Sequence, residues 1–196
     1  MICYLKNLRV IIFTVIIFCQ SFNTKSYANS ADDYMRPFFY GTYIGLDLGL
    51  VNHFEAAPLA GYRIIPRWHA GIGGKYLYYN DKRFGSVFNA HIFGPWAFTD
   101  FVAIRDLESF LPFRFIDGAL FLHGEVNMFS LPVKHFDTRG DYIGQDRFFR
   151  PTWMTGVGLS RQAGHKNYFH VLLMFDVSGH SNKIYSNPVV RFGLMF

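Results

Sequence analysis

Residues 188–196 read PVVRFGLMF, and in an extended chain Val190, Phe192, Leu194 and Phe196 share one face while Val189, Arg191, Gly193 and Met195 share the other. One face is wholly apolar; the other is mixed and carries a charge. The same period of two recurs upstream. In 43–51, Ile44, Leu46, Leu48 and Leu50 oppose Tyr43, Gly45, Asp47 and Gly49. In 57–64, Ala60, Tyr62 and Ile64 oppose Gly61 and Arg63, and in 68–78, Ala70, Ile72, Tyr76 and Tyr78 oppose His69, Gly71, Gly73 and Lys75. Residues 84–93 alternate Phe88, Ala90 and Ile92 with Asn89 and His91. Residues 119–128 set Leu120, Leu122, Val126 and Met128 against His123, Glu125 and Asn127, and 151–159 set Trp153, Thr155, Val157 and Leu159 against Thr152, Met154, Gly156 and Gly158. In 168–177 the apolar face is Phe169, Val171, Leu173, Phe175 and Val177, facing away from His170, Met174 and Asp176.

These segments predict eight strands of about ten residues, the length of a tilted strand that crosses a bilayer. The expected fold is all-β, an eight-stranded antiparallel up-and-down transmembrane barrel with its apolar faces toward lipid and its mixed faces toward a narrow lumen. Residues 52–56 read as a loop, Pro66-Arg67 as a tight turn, 80–83 as a polar hairpin and 162–167 as a glycine-containing turn. The stretch 130–150 reads as the longest polar loop, and 178–187 as another. Residues 94–115 break the pattern: Pro95 and Pro112 interrupt extended structure, and 106–111 suit a short amphipathic helical segment. A longer fourth strand, or an extra hairpin through 98–104 that raises the count to ten, is the other reading of this stretch. The alternation of short turns and long loops places both chain ends at the periplasmic side.

Composition supports alternation over continuous core segments. Apolar residues make up 51% of the chain and aromatics 19%. Beyond the first 28 residues, no apolar run has the length of a membrane helix. Those first 28 residues carry the marks of a cleaved export signal: basic Lys6 and Arg9, an apolar stretch over 10–18, and small Ser26 and Ala28 before the cut. A lipoprotein signal at Cys19 is the competing reading, disfavoured by bulky Phe18. The expected division is signal 1–28, a short periplasmic lead 29–40 with entry aromatics at 38–40, and a barrel over 41–196. Both cysteines, Cys3 and Cys19, lie in the signal, so the remainder has neither disulfide nor thiolate metal site. The signal carries Lys6, Arg9 and Lys25 without an acid, so its removal lowers the formal charge from +5 to +2. No clustered basic stripe is left to suggest a nucleic-acid partner.

The inward faces collect three acids, Asp47, Glu125 and Asp176, and three bases, Arg63, Lys75 and Arg191, with Asn89, His91, His123 and His170 among them. Charges in so narrow a lumen are costly unless paired, so opposite signs on neighbouring strands should meet. Closure would set Arg191 between Asp47 and Asp176. This network is expected to fill the lumen and fix register; a conducting pore is the alternative. The histidines come from separate strands without ligand spacing, so no metal and no cofactor is expected. Tyr62, Trp68, Tyr76, Tyr78, Trp153, Tyr168 and Phe196 recur near strand ends, as an interfacial aromatic girdle does.

With this pattern the chain resembles small eight-stranded outer-membrane barrel proteins of Gram-negative bacteria, of the OmpA-like or OmpX-like kind. Its closing segment, Asp176, Tyr185 to Pro188 and Arg191 to Phe196, is similar to that of uncharacterised Bacteroidetes-type barrels. The resemblance implies an integral outer-membrane protein, with outer-membrane lipid around it and its exposed loop 130–150 free to meet a surface ligand. It also implies that Phe192, Leu194 and Phe196 form a signal for the barrel-assembly machinery. A lipid A deacylase is the runner-up, because such barrels carry a His-x-Ser-Asn stretch near the C-terminus. Here His180-Ser181-Asn182 is one residue shorter, which in an extended strand puts His180 and Ser181 on opposite faces. The expectation is therefore a non-enzymatic protein.

Overall fold

The computed structural model describes residues 37–47, 51–81, 88–110, 118–137, 140–142, 144–163, 167–180 and 184–196. The proposed signal and most of the proposed lead lie outside them. Eight antiparallel strands close a barrel in simple sequence order, β1-β2-β3-β4-β5-β6-β7-β8. They are β1 Phe38–Asp47, β2 Val51–Ile65, β3 Trp68–Asp81, β4 Phe88–Ile104, β5 Ala119–Pro132, β6 Arg147–Gln162, β7 Tyr168–Asp176 and β8 Val189–Met195. β8 closes on β1 from Gly41↔Met195 to Gly45↔Arg191, and Tyr40 and Phe196 add a reciprocal pair of backbone hydrogen bonds at 3.3 and 2.8 Å. The start of β1 and the end of β8 therefore lie at one rim, the terminal rim; the opposite end is the mouth.

Registers fix the geometry. A path running perpendicular to the strands leaves β1 at Pro37, beside Arg63, passes His69, Asp100, His123, Gly156, Met174 and Val189, and returns to β1 level with Asp47. The stagger is thus ten residues for eight strands, which with ordinary strand spacing and rise corresponds to a tilt of about 40°. Side chains are just able to fill a barrel of this size.

The terminal half of the lumen is filled by rings seated on glycines. Five directly opposed cross-strand pairs do this: Phe39↔Gly61, Tyr43↔Gly193, Gly71↔Phe98, Gly73↔Trp96 and Phe121↔Gly158. A methyl group at Gly61 would lie 2.2 Å from the Phe39 ring, and one at Gly158 would lie 2.3 Å from the Phe121 ring. Each glycine is a slot for the ring across from it, so the small inward residues of the sequence are packing partners of the large ones.

Several boundaries differ from the sequence reading. β1 stops at Asp47 and Val51 already belongs to β2, while Phe38–Tyr40 lies within β1. Residues 52–56 are strand, bringing His53 and Glu55 inward. Asn80 and Asp81 complete β3. The irregular stretch is strand as far as Ile104: β4 runs unbroken through Pro95, which pairs with Gly74 on β3. On its β5 side the ladder skips Gly94 and Pro95, passing from Phe93↔Ser130 to Trp96↔Asn127, where a residue without an N–H is tolerated. The connection beyond it is shorter than expected and carries one helical turn, Leu107–Phe110. The stretch read as the longest loop also shrinks, because β5 extends to Pro132, a helical turn follows at Val133–Phe136, and β6 begins at Arg147.

In β4 the faces are inverted relative to the reading. Ala90 and Ile92 point inward and are buried, while Asn89 and His91 are exposed on the outside. Near the mouth the lumen is packed with apolar side chains, among them Leu77, Phe129, Leu131, Phe136 and Ile184. The outer surface of β3 and β4 there carries polar groups: Asn80 donates to Asn89, and the Tyr76 hydroxyl meets His91 Nδ1 at 2.7 Å. Taking apolar as outward fails at that level.

Candidate functional site

The most concentrated chemistry is a cluster of ionisable side chains across the middle of the lumen. Its centre is Arg191 on β8. Gly45 of β1 stands opposite both Glu55 on β2 and Arg191 on β8, and its missing side chain lets those two meet across it. A methyl group at Gly45 would lie 3.3 Å from Glu55 Cβ and 3.4 Å from Arg191 Cγ. Arg191 Nε lies 2.8 Å from Glu55 Oε1, and Nη2 donates to Glu55 Oε2 at 3.1 Å. Nη1 donates to Glu125 Oε2 on β5 at 2.9 Å. One guanidinium therefore ties three strands together, using its planar fork.

Lys75 on β3 donates to Glu125 Oε1 at 2.8 Å, lies 3.6 Å from Glu55 Oε1, and rests over the Trp96 ring at 4.4 Å. His123 and Asp100, directly opposed on β5 and β4, share a short hydrogen bond through Nδ1, while Nε2 of the same imidazole lies 3.3 Å from Glu125 Oε2. Carboxylates face both ring nitrogens, an arrangement that a doubly protonated imidazole would satisfy by donating on each side. Glu55, Asp100 and Glu125 then balance Lys75, His123 and Arg191, all of them at most 5% exposed. Asn127 adds an N–H to Glu125 Oε1 at 2.9 Å.

The mouth-side cover of this cluster comes from the connection between β7 and β8. Ile184 and Tyr185 re-enter the barrel and are 1% exposed each. The Tyr185 hydroxyl donates to Glu55 Oε2 at 2.6 Å, and the Arg191 guanidinium lies 5.3 Å from its ring. Asn187 anchors the return by accepting from the Asp176 N–H at 2.7 Å and donating to the Asp176 carbonyl at 3.0 Å. From the other side, the helical turn at Val133–Phe136 buries Phe136 against Tyr79, with ring centroids 5.4 Å apart.

Of the six charged lumen residues read from the sequence, the structure brings together Lys75, Glu125 and Arg191. The described acids that meet Arg191 are Glu55 and Glu125, not the anticipated Asp176. Asp176 lies two inward positions nearer the mouth than Leu172, the residue opposite Arg191, and its Oδ1 accepts from the Ser178 N–H at 2.9 Å. Asp47 ends β1, with its side chain outside the described residues. Arg63 is partly exposed near the terminal rim, opposite His69. Glu55 and Asp100, both central, were missed because each sat in a stretch read as a connection. Their signal was phase: Glu55 continues the inward series of Ala57, Leu59 and Gly61, and Asp100 that of Trp96 and Phe98. His170 accepts or donates at the Tyr43 hydroxyl, 3.0 Å away, in the terminal half.

Phe192, Leu194 and Phe196 line the outer face of the closing strand; Phe196 stacks on Tyr40 at 5.8 Å and Phe192 on Phe169 at 6.2 Å. His180 lies in the β7–β8 connection, where partial burial and then the Arg150 guanidinium lower its pKa, while Ser181 and Asn182 fall outside the described residues. Among the described residues no group of three His, Cys, Asp or Glu is placed to hold a metal ion. No protein-family model and no curated protein matches the chain.

Proposed function

We propose that this barrel spans the outer membrane of a Gram-negative bacterium as a closed structural protein of the OmpA-like or OmpX-like kind, acting through its mouth-side connections. One observation carries the reading: an apolar belt faces outward around a closed barrel whose middle level holds buried acids and bases. Ile44, Leu46, Ile72, Leu122, Trp153, Val157, Leu173, Phe175 and Leu194 stand exposed around its circumference, at 39% to 69% of their surface. The acids and bases meanwhile occupy its centre. A contiguous apolar belt of this extent is costly in water and stable in hydrocarbon, where a closed barrel leaves no strand edge unpaired.

Exposed aromatics flank the belt, with Phe38, Tyr40, Tyr62, Trp68 and Phe101 toward the terminal rim. This arrangement supports a girdle at a membrane interface. In this reading the termini face the periplasm, the outward series of Phe192, Leu194 and Phe196 is presented to the assembly machinery, and lipid is the main partner. The connection between β5 and β6 is the segment offered to a surface ligand.

Closure of the lumen favours a plugged barrel over a pore. Its inward side chains from Tyr43 to Arg191 are almost entirely inaccessible to water, with Leu172, Met174 and Asn127 at 0%. Heat-modifiable migration on SDS gels together with outer-membrane fractionation tests the architecture. A periplasmic protein with no heat shift would sink it. Planar-bilayer recording tests closure, and steady single-channel steps from purified protein would show that the lumen conducts.

A further inference from the structure

We propose that Arg147 holds the phosphate of a lipid in the leaflet at the mouth, an inference that rests on the membrane-spanning reading. Arg147 opens β6 with the parity of exposed Phe149, and its half-buried side chain lies back across β5. Nε donates to Ser130 Oγ at 2.9 Å, while Nη2 donates to the Ser130 carbonyl at 2.6 Å and to the His91 carbonyl at 2.7 Å. Ser130 stands directly between Phe93 on β4 and Phe149 on β6, which are 50% and 63% exposed. The guanidinium carbon lies 4.9 Å from the centre of the Phe93 ring. Beyond Phe93 the outer face of β4 turns polar at His91 and Asn89, so the cation is fixed at the mouth-side edge of the apolar belt.

Its charge has no answer from the described residues. All three acceptors are neutral, Nη1 has no acceptor among the described residues, and no described carboxylate pairs with Arg147. Asp141 and Asp146, the exposed acids of the β5–β6 connection, make no ion pair with it. Of the other bases described at this end, Lys134 is exposed on the helical turn, and Arg150 turns toward the lumen, with its guanidinium 5.5 Å from the Phe136 ring. A guanidinium held beside hydrocarbon without a counter-charge is costly, and a lipid phosphate at the same depth supplies one. Its oxygens can accept from Nη1, while the acyl chains run down over exposed Met128 and Trp153. That apolar surface directly below the cation commits the site to a lipid rather than a soluble anion.

Tryptophan quenching in vesicles tests this. Of the three tryptophans, Trp96 is buried in the lumen and Trp68→Phe removes the one at the terminal rim, which leaves Trp153, two outward positions below Phe149, to report on lipid at the mouth side. In phosphatidylcholine vesicles, chain-brominated phosphatidic acid should be preferred about fivefold over chain-brominated phosphatidylcholine at low salt, and most of that preference should vanish at high salt. Arg147→Gln should bring the ratio toward one. Phe149→Glu should do the same with Arg147 intact, because it sets a carboxylate beside the guanidinium. Lys134→Gln should leave the ratio in place, and so should added inorganic phosphate. A ratio of one in the Trp68→Phe protein, full preference in the Arg147→Gln or Phe149→Glu variant, or loss of the preference to inorganic phosphate overturns the proposal. Protein that enters vesicles without preference defeats this inference alone, whereas protein that fails to enter them defeats the membrane reading and takes this inference with it.

Discussion

Arg191→Leu should be the most damaging single change in the lumen, and a second substitution should repair part of it. The guanidinium contacts Glu55 twice and Glu125 once, at 2.8 to 3.1 Å, with 1% of the residue exposed. Removing it leaves Glu55, Asp100 and Glu125 facing only Lys75 and His123, an uncompensated negative charge in a closed space. Loss of one partner from a buried pair typically costs about 3–5 kcal/mol, and the leucine's apolar contacts return only a fraction of that.

Glu55→Leu should cost a similar amount, because it strands Arg191 with half its partners and leaves the Tyr185 hydroxyl without its acceptor. The double variant is neutral again, so its destabilisation should fall short of the sum by about 2 kcal/mol or more. Urea unfolding of protein reconstituted in lipid, followed by tryptophan fluorescence and by the gel mobility shift, measures all three. Trp96, with Lys75 lying 4.4 Å over its ring, reports from beside the cluster. An Arg191→Leu protein as stable as the parent, or strictly additive effects in the double variant, would refute the account of the cluster as one charge-balanced unit.

Three further outcomes are expected. Gly158→Ala should cost about 1–3 kcal/mol in the same assay, because its methyl group would enter the Phe121 ring at 2.3 Å, and Phe121→Leu in that background should recover part of the loss. Leu173→Arg on the outer face of β7 should cost about 2–4 kcal/mol in a bilayer; a change within about 0.5 kcal/mol would mean that this face meets water. Phe196→Ala should leave unfolding nearly unchanged yet lower the amount of protein assembled in outer-membrane fractions, and equal assembly would remove the terminal aromatic from its proposed role.

How much of this was legible in the sequence depended on level along the barrel axis. In the middle and terminal thirds the period of two gave the correct face wherever a strand had been read, while the parts of β2 and β4 that carry Glu55 and Asp100 had been read as connections. Arg191, Glu125 and Lys75 were placed inward for that reason. Toward the mouth the same rule misread β4, where Ala90 and Ile92 turn in and Asn89 and His91 turn out. Phase would have rescued it: the inward series Ala90, Ile92, Trp96, Phe98 and Asp100 keeps one parity through Pro95. Proline was taken as a strand breaker, but here it stands where the β5 ladder is already interrupted. The partners of Arg191 were beyond reach for another reason. They are set by stagger, and a ten-residue shear moves Asp176 away while Gly45 opens a path to Glu55.

The lumen is closed three times over, by different chemistry at each level. Rings seated on glycines fill the terminal half, the balanced cluster of Glu55, Lys75, Asp100, His123, Glu125 and Arg191 crosses the middle, and Ile184, Tyr185 and Phe136 pack the mouth. A channel that opened by one local rearrangement would need only one of these layers. Redundant closure instead suits a barrel whose interior serves rigidity, since each layer joins strands far apart in sequence: Arg191 alone links β8 to β2 and β5. The Tyr185 hydroxyl extends that linkage outward, because the carboxylate that holds Arg191 also holds the β7–β8 connection down. The mouth-side surface is thereby built on the central cluster, so Arg191→Leu should perturb the chemical shifts or protease sensitivity of the β7–β8 connection as well as global stability. That coupling is how a sealed barrel can present a defined surface at its mouth.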